Sequence, residues 1–294
     1  MSNSDIILSE VAQKEKLLVF AGSGVSDPTG IPTWRKLLEN LQLTYRIPGV
    51  NVEDIDSNNF PEIAQMFYRH FEENDCLSQY HDILKNNLRA LKISHTPLQQ
   101  QIIYIGFNNN VVTTNFDTTF EDTFSHLNVY GNTELTCDFQ SIPSLSADNI
   151  NKKKGLITYL HGRIESNEII FTLLDYEKHY KNSHAMKELY YDLYTNYTLL
   201  FIGFSFEDRY VKQVLYDVKS QILEKIKNSE LPTNYLSEIK HYVIISEKFK
   251  IPEKICNDLK LSPIYYPNEN HIVIESYLKT IYNSRKSLIR GSMQ

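Results

Sequence analysis

Five short apolar segments without charged residues constrain most strongly what this chain can fold into. Their side chains are mainly β-branched, aromatic or leucine, which is typical of strands that are covered on both faces of a sheet. The segments are residues 17–21, 111–114, 156–160, 199–202 and 242–245. Each of them is predicted to be a buried strand.

Amphipathic stretches lie between these segments, among them residues 34–43, 208–226 and 272–282. Strands that alternate with helices form a parallel sheet whose crossover helices cover both faces. The sequence therefore predicts an α/β, Rossmann-like fold. Ligands of such sheets bind beyond the carboxyl ends of the strands, so the polar residues that follow each apolar segment are the candidate site.

Two regions interrupt this alternation. Residues 44–100 are rich in helix formers, with apolar residues at helical spacing around Ile63, Phe67 and Phe71, and they predict a helical insertion. Residues 124–151 are less regular and predict strand and loop. We expect a single domain over residues 1–294, because α/β proteins of this size often form one domain with insertions.

Charge and cysteine content argue against several classes of function. The formal net charge of -6 disfavours sequence-independent binding of nucleic acid, which needs a basic surface. No segment approaches the roughly 20 apolar residues that span a bilayer, so we expect a cytoplasmic protein without membrane contact. The three cysteines, Cys76, Cys137 and Cys256, lie far apart and form no CxxC pair, so no metal site or disulfide framework is predicted.

The first candidate motif is the sequence Gly22-Ser23-Gly24, directly after the first apolar segment. Glycines at that point let the backbone approach a phosphate closely, and the helix that follows offers its amino-terminal dipole. An ordinary glycine-rich turn between strand and helix is the alternative. The dinucleotide-binding fingerprint of dehydrogenases is not met, because Asp27 stands where its third glycine belongs.

The second motif is Thr114-Asn115-Phe116-Asp117, at the end of the second apolar segment. The amide of Asn115 can donate to and accept from ribose hydroxyls or a water, and the carboxylate of Asp117 can accept from a carboxamide. An Asx-type cap on the next helix is an equally good interpretation of these residues alone.

The third motif is the pair His161-Gly162, which follows the segment 156–160. A single histidine is more often a satisfied core or surface group than a catalytic one. Its place at the carboxyl end of a predicted strand favours a functional role.

The fourth motif runs from Gly203 to Asp208 and follows the segment 199–202. The small Gly203 allows close approach of a ligand, and Ser205 can bind a ribose or phosphate. Alternatively, Ser205 is the N-cap of the next helix and Asp208 completes a capping box. The sequence alone allows both roles to coexist.

Together, the four motifs resemble those of the sirtuin (silent information regulator two) family. GSGVSDPTGIPTWR, from Gly22 to Arg35, is similar to the family pattern GAGxSxxxGIPxFR, and TTNFD is similar to TQNxD with Thr114 in place of glutamine. The His161-Gly162 pair and the GxS element around Ser205 follow in the family's order. The resemblance spans most of the chain and implies a sirtuin-type fold with NAD as the substrate.

The resemblance also implies a role for each motif. Asn115 would orient the ribose or a water, Asp117 would hold the nicotinamide amide, and His161 would act as a base or anchor a ribose hydroxyl. Arg35 would guard the phosphate or ribose side, or else face solvent as an ordinary helix residue. The implied catalytic residues are Asn115 and His161, and the implied NAD-binding residues are Gly22, Ser23, Gly24, Ser26, Arg35, Thr114, Asp117, Gly203 and Ser205.

One departure from the family changes the expected reaction. Deacylating sirtuins carry a four-cysteine zinc module that shapes the acyl-lysine cleft, and this chain lacks those cysteines. Water then becomes the expected acceptor, which makes the chain an NAD glycohydrolase that releases nicotinamide and ADP-ribose. The alternatives are an NAD-dependent protein deacylase or ADP-ribosyltransferase, and a non-catalytic module that senses NAD or ADP-ribose.

The run 171–180 and the sequence GFSFED look most similar to bacterial sirtuin-like effectors of antiviral defence, such as Thoeris effectors and the partners of HerA-type ATPases. Because depletion of NAD kills the host cell, such an enzyme is expected to stay silent until it is triggered. We therefore expect a homo-oligomer or a regulatory partner such as a HerA-type ATPase. Residues 44–100 and 272–282 are the candidate contacts.

Overall fold

The computed structural model describes residues 3–57, 59–89, 96–130, 137–166, 168–267 and 271–291. Within these ranges the strands form one main parallel sheet and one small antiparallel hairpin. The strands are β1 Leu17–Ala21, β2 Val111–Thr113, β3 Asp138–Ser141, β4 Leu156–Tyr159, β5 Gly162–Arg163, β6 Glu168–Ile169, β7 Thr198–Ile202, β8 His241–Ser246 and β9 Leu261–Tyr266.

The helices flank the sheet or form a separate group at one end of it. In chain order they are α1 Asn3–Ala12, α2 Trp34–Tyr45, α3 Phe60–Glu73, α4 Leu77–Asn87, α5 Pro97–Ile105, α6 Thr119–Tyr130, α7 Ala147–Lys152, α8 Leu173–Tyr176, α9 His184–Asn196, α10 Arg209–Lys227, α11 Tyr235–Glu238, α12 Glu253–Asp258 and α13 His271–Gly291. A π-helical turn, Glu177–Lys181, continues α8. No helix in the described ranges is long and apolar enough to cross a membrane.

The main sheet has the order β3-β4-β2-β1-β7-β8-β9, and all its neighbouring strands run parallel. From β1 the sheet first grows toward β2, β4 and β3, and it then resumes at β7 on the opposite side of β1. The order thus reverses between β1 and β7, which is where open α/β sheets form a ligand crevice. The predicted Rossmann-like parallel sheet is confirmed.

The strands are buried on both faces because successive side chains point to opposite sides. Leu18 and Phe20 of β1 join the core under α9 and α10, while Leu17 and Val19 join the core under α1, α5, α6 and α13. This explains why the strand segments are apolar at every position rather than at alternate ones.

The helices α2, α3 and α4 form a third core beside the carboxyl end of the sheet. Its buried residues include Leu41 of α2, Phe67 of α3 and Leu84 of α4, and Phe171 of the segment before α8 also contributes. Within the predicted insertion 44–100, α3 and α4 belong to this core, whereas α5 packs in the sheet core. Residues 90–95 lie outside the described ranges.

The predicted bounds of the central strands agree with the structure to within one residue. Two edge strands were not predicted separately: β3, which lies in the region 124–151, and β9. The region 124–151 was predicted as strand and loop, but it also contains the end of α6 and all of α7.

Candidate active site

The loops after β1 and β7 cross in direct backbone contact at the switch point of the sheet. The Gly22 amide donates to the carbonyl of Ile202 at 2.9 Å, and the Gly24 amide donates to the carbonyl of Gly203 at 3.1 Å. A Cβ at position 22 would lie 2.4 Å from the Gly203 oxygen, and one at position 203 would lie 2.7 Å from the Val25 nitrogen. The close crossing therefore requires these glycines independently of any ligand.

The amides of the first loop already have protein partners. Besides the two glycine bonds, the Val25 amide donates to the Gly22 carbonyl at 3.1 Å and the Ser26 amide to the Ser23 carbonyl at 3.0 Å. The loop is thus built from consecutive 3-10 turns, and Ser23 is exposed on its surface. A contact between this backbone and a diphosphate stays a prediction.

A buried polar network connects the first loop to the end of β2. The Asn115 Nδ2 donates to the Gly22 carbonyl at 3.1 Å and to the Ser26 Oγ at 3.0 Å. Ser26 in turn donates to Asp117 Oδ2 at 2.8 Å. The two sequence motifs therefore form one unit, although they lie about ninety residues apart.

Asp117 acts within this network as an acceptor from the protein itself. Its Oδ1 accepts from the Thr119 amide at 3.1 Å and from the Thr119 hydroxyl at 2.5 Å, while its Oδ2 accepts from Ser26. The side chain is 3% exposed, and burial raises its pKa above the usual range of an aspartic acid. This geometry makes Asp117 a support of the loop; its predicted contact with a nicotinamide amide stays a prediction.

The Asn115 Oδ1 differs from its neighbours because it is buried and accepts no hydrogen bond from the described residues. The amide cannot rotate to satisfy it without losing both bonds of Nδ2. A buried acceptor without a partner costs free energy of about 1–3 kcal/mol, which a ligand hydroxyl or a water can recover. Asn115 thus offers one oriented acceptor at the carboxyl edge of the sheet.

His161 reaches the same edge from the neighbouring strand β4. Thr113 pairs with Tyr159, and the Leu160 amide donates to the Thr113 carbonyl at 2.8 Å, so the two strands end together. Asn115 and His161 each come two residues after this paired position. The structure therefore brings both predicted catalytic residues to adjacent strand ends.

The imidazole of His161 is enclosed by aromatic side chains. It is 3% exposed, its Nε2 lies 2.6 Å from the Tyr180 hydroxyl, and its Nδ1 lies 3.5 Å from the Tyr176 hydroxyl. The Phe116 ring centroid is 6.3 Å away. Burial lowers the pKa of His161 to about 4, so the ring is neutral at pH 7 and can serve as a base if a substrate reaches it.

Tyr176, at the end of α8, is fixed by ring stacking and through its hydroxyl. It stacks on Tyr210 with ring centroids 4.5 Å apart and on Trp34 with centroids 5.8 Å apart. Its hydroxyl donates to Asp208 Oδ2 at 3.1 Å. Tyr176 therefore joins the first motif, through Trp34, to the fourth motif, through Asp208.

Tyr180 lies in the π-helical turn and covers the other ring nitrogen of His161. Its hydroxyl is 3.0 Å from the hydroxyl of Tyr190 on α9. π-Helical turns are rare and often occur at functional sites. Here the turn follows a single turn of α-helix and presents Tyr180 to the histidine.

Ser205 lies apart from this buried network. It is exposed, and its hydroxyl donates to Glu207 at 3.3 Å. The alternative that Ser205 caps α10 is wrong, because the cap is Asp208, whose Oδ1 accepts from the amides of Tyr210 and Val211 at 2.9 and 3.0 Å. Ser205 instead lines a cavity of about 260 Å³ with Ser57, Phe206, Glu207, Lys212, Phe249, Lys250, Ile251, Pro252 and Ile255.

Arg35 and Thr114 occupy structural positions around the site. The Arg35 guanidinium donates to the carbonyl of Ile55, lies 3.9 Å from Glu39, and is half exposed on α2. Thr114 ties the end of β2 to β1, since its amide donates to the Ala21 carbonyl at 3.2 Å. The structure places neither side chain in the network of Asn115 and His161.

Sequence reasoning missed the tyrosines around His161 and the link to Asp208. Tyr176 and Tyr180 both fall in the run 171–180 that distinguishes this chain, and their spacing of four residues was the available signal. Within the described ranges, no group of three or more His, Cys, Asp or Glu side chains could hold a metal ion.

A family model described as the SIR2-like domain matches residues 109–264, which is more than half of the chain. The chain belongs to the SIR2-like family. The matched range includes Asn115, His161 and the fourth motif, whereas the glycine loop after β1 precedes it.

Two curated relatives of this SIR2-like chain are both named NAD(+) hydrolase ThsA. The protein of Enterococcus faecium is 27% identical over 217 residues, which is 72% of this chain and 41% of the relative. The protein of Bacillus cereus (strain MSX-D12) is 25% identical over 258 residues, which is 84% of this chain and 46% of the relative. The chain thus spans less than half the length of each relative.

Among solved structures, a Sir2 variant with a deacetylated p53 peptide and 3′-O-acetyl ADP-ribose matches this SIR2-like chain with a TM-score of 0.43 and 13% identity. The match covers 94% of this chain and 97% of the other.

Proposed function

We propose that this SIR2-like chain is an NAD glycohydrolase that cleaves NAD to nicotinamide and ADP-ribose. The relatives named as NAD(+) hydrolases support the substrate and the reaction. The observation that carries the proposal is the buried Oδ1 of Asn115, which has no partner among the described residues and lies at the strand end next to that of His161. It is suited to accept from a ribose hydroxyl or from the attacking water.

The reaction breaks the bond between the anomeric carbon of the ribose and the pyridinium nitrogen of nicotinamide. The bonding electrons go to that nitrogen and neutralise it, and the carbon passes through an oxocarbenium-like state. Water adds to the carbon and loses a proton, for which the neutral imidazole of His161 is the proposed acceptor. Asn115 would orient the ribose or the water, and Asp117 would hold the loop that carries Asn115.

The enclosure of His161 supports an enzyme whose rate of NAD cleavage stays low until it is triggered. A ribose hydroxyl can reach Nε2 only if it displaces the Tyr180 hydroxyl, so the π-helical turn that carries Tyr180 has to shift before turnover. We propose that assembly, either with further copies or with a partner such as an ATPase, supplies that movement. This arrangement would suit an NAD-depleting effector of antiviral defence.

The decisive experiment is a time course of nicotinamide and ADP-ribose formation from NAD, with the parent and Asn115→Ala, in the presence and absence of an acyl-lysine peptide. Peptide-independent release of equal amounts of both products by the parent, and at least a 100-fold lower rate for Asn115→Ala, is expected. Asn110→Ala is the matched control, because Asn110 is also buried but its side chain bonds away from the site, to Ile150, Lys153 and Leu156. It should lower stability and leave turnover per folded molecule unchanged.

Two outcomes would contradict the proposal. Product release that depends on the peptide would identify a deacylase. Saturable NAD binding by calorimetry without turnover, in the parent and in a variant opened at Tyr180, would identify a sensing module.

A further inference from the structure

A continuous row of polar groups passes through His161 and joins five side chains from separate elements. It runs from the carboxylate of Asp208 to the Tyr176 hydroxyl at 3.1 Å and from there to His161 Nδ1 at 3.5 Å. On the other side of the ring it continues from Nε2 to the Tyr180 hydroxyl at 2.6 Å and on to the Tyr190 hydroxyl at 3.0 Å. Each hydroxyl has one proton to donate, so the direction of one bond fixes the next.

The carboxylate sets that direction. A carboxylate only accepts, and a hydrogen bond to an ionised acceptor is roughly twice as strong as one between neutral groups. The Tyr176 proton is therefore committed to Asp208 at 3.1 Å rather than to Nδ1 at 3.5 Å. The Tyr176 oxygen is left to accept, and it has a donor when the proton of His161 is on Nδ1.

The other ring nitrogen follows from this assignment. With the proton on Nδ1, Nε2 carries the lone pair and accepts from Tyr180 at 2.6 Å. Tyr180 then accepts from Tyr190 at 3.0 Å. All donors and acceptors along the row are matched in this single arrangement, and Nε2 is the nitrogen with base character.

The fold restrains both side chains of the hydrogen bond between Tyr176 and Asp208. Asp208 is held by its role as the N-cap of α10, which uses its Oδ1 and leaves Oδ2 for Tyr176. Tyr176 is held by stacking on the rings of Trp34 and Tyr210. The bond between them is thus imposed by the fold rather than by the histidine.

We infer that Asp208 and Tyr176 are positioning residues that hold His161 in the Nδ1-protonated tautomer and so keep Nε2 available as the base of the proposed hydrolysis. The inference rests on the proposed function for its catalytic consequence. The tautomer itself is a property of the resting protein.

The substitution Asp208→Asn tests this link while preserving the helix cap. The cap requires an oxygen at the Oδ1 position to accept from Tyr210 and Val211, so the new amide nitrogen must face Tyr176. It donates to the Tyr176 oxygen, which turns the Tyr176 proton toward Nδ1 and moves the proton of the ring to Nε2. An imidazole in the wrong tautomer cannot accept a proton at Nε2.

The first measurement is ¹⁵N NMR of histidine-labelled protein, with the His161 signals assigned by their loss in His161→Gln. The parent should show a protonated Nδ1 and an unprotonated Nε2, and Asp208→Asn should show the reverse. Asp208→Ser keeps a capping oxygen but is too short to reach Tyr176, and it should give a mixture. An Nε2-protonated parent, or a spectrum that Asp208→Asn does not change, would overturn the inference.

The second measurement is the rate of nicotinamide release. Asp208→Asn should lower kcat about 100-fold with little change in KM, and Tyr176→Phe, which removes the link without reversing it, should lower kcat less. A reversed tautomer with undiminished kcat would show that the tautomer is irrelevant to the reaction. A reversed tautomer in a protein that releases no nicotinamide under any condition would instead refute the proposed function.

Discussion

The chain contains two deeply buried histidines, His161 and His241, which are alike by simple criteria. Their exposed fractions are 3% and 1%, and burial lowers the pKa of His161 to about 4 and that of His241 to about 3. Each also lies within about 5.5 Å of a tyrosine ring, measured between centroids. A ranking by burial or by pKa shift would select His241 first.

The two histidines differ in the edge of the sheet at which they lie and in their hydrogen-bond partners. His161 follows a strand at the carboxyl edge of the sheet, and hydroxyls face both of its ring nitrogens. His241 begins β8 at the amino edge, its Nδ1 accepts from the Leu199 amide at 3.1 Å, and its Nε2 has no partner among the described residues. A perturbed pKa therefore indicates function only together with a place in a site and a network of oriented groups.

The largest expected effect that the two histidines share is loss of stability in acid. Both folded-state pKa values lie below the unfolded value of 6.5, so only the unfolded state takes up protons as the pH falls below 6.5. Stability is full above that pH and is lost progressively toward pH 4, by about 3 kcal/mol from His161 and at least as much from His241. The pKa of Asp117 is raised in the folded protein, so protonation of this carboxyl group favours the folded state as the pH falls. Its contribution to stability therefore opposes that of the two histidines.

Guanidinium unfolding of the parent, His161→Gln and His241→Asn between pH 7 and pH 4.5 measures this effect. Each variant should show a shallower dependence on pH than the parent. Equal slopes in all three proteins would mean that neither imidazole is kept neutral by the fold.

The next effect separates the two histidines by activity. His161→Gln should lower the rate of nicotinamide release per folded molecule about 100-fold or more, because it removes the proposed base. His241→Asn should lower stability by about 2 kcal/mol, because it removes buried ring atoms, and leave turnover per folded molecule within about twofold. The measurements are initial rates on protein whose folded fraction is known from circular dichroism.

Loss of activity in a folded His241→Asn variant would contradict the assignment of His241 to a structural role. A His161→Gln variant with the rate of the parent would contradict the assignment of His161 as the base.

The smallest expected effect compares two buried tyrosine hydroxyls. The hydroxyl of Tyr180 binds His161, whereas that of Tyr194, beside His241, has no partner among the described residues. Tyr180→Phe should lower the free energy of unfolding by about 1 kcal/mol, because it removes the hydrogen bond to His161. The same loss makes the opening of the π-helical turn easier, so at NAD concentrations below KM nicotinamide should be released about fivefold faster. Tyr194→Phe should leave stability unchanged or slightly higher, because it removes an unsatisfied group.

Thermal unfolding and initial rates of the two variants, run side by side, test this pair. A fall in rate for Tyr180→Phe as large as that for His161→Gln would make Tyr180 part of the chemistry rather than of the closure.

How far the sequence predicts this fold depends on where each strand lies. The central strands are apolar at every position because both faces are covered, so their bounds follow directly from the sequence. The edge strand β3 has the sequence DFQS, and its Phe139 is 47% exposed. The other edge strand, β9, contains Pro263. Edge strands need no continuous apolar run, so the signal that identifies the others is weaker there.

The site divides in the same way. Asn115 and His161 can be selected from the sequence because strand ends predict their location. The link from His161 through Tyr176 to Asp208 cannot be selected, because it depends on how a four-residue helix packs against the start of α10. Asp208 also has a complete local explanation as a helix cap, which conceals its second contact in the sequence.

The backbone crossing of Gly22, Gly24 and Gly203 has a consequence for reading mutational data. A scan scored by loss of activity would report Gly22 and Gly203 as intolerant, as it would Asn115, yet these glycines would fail because a Cβ would push apart two loops that touch. Only a parallel score for folded protein would distinguish a residue that the reaction needs from one that the shape of the crevice needs.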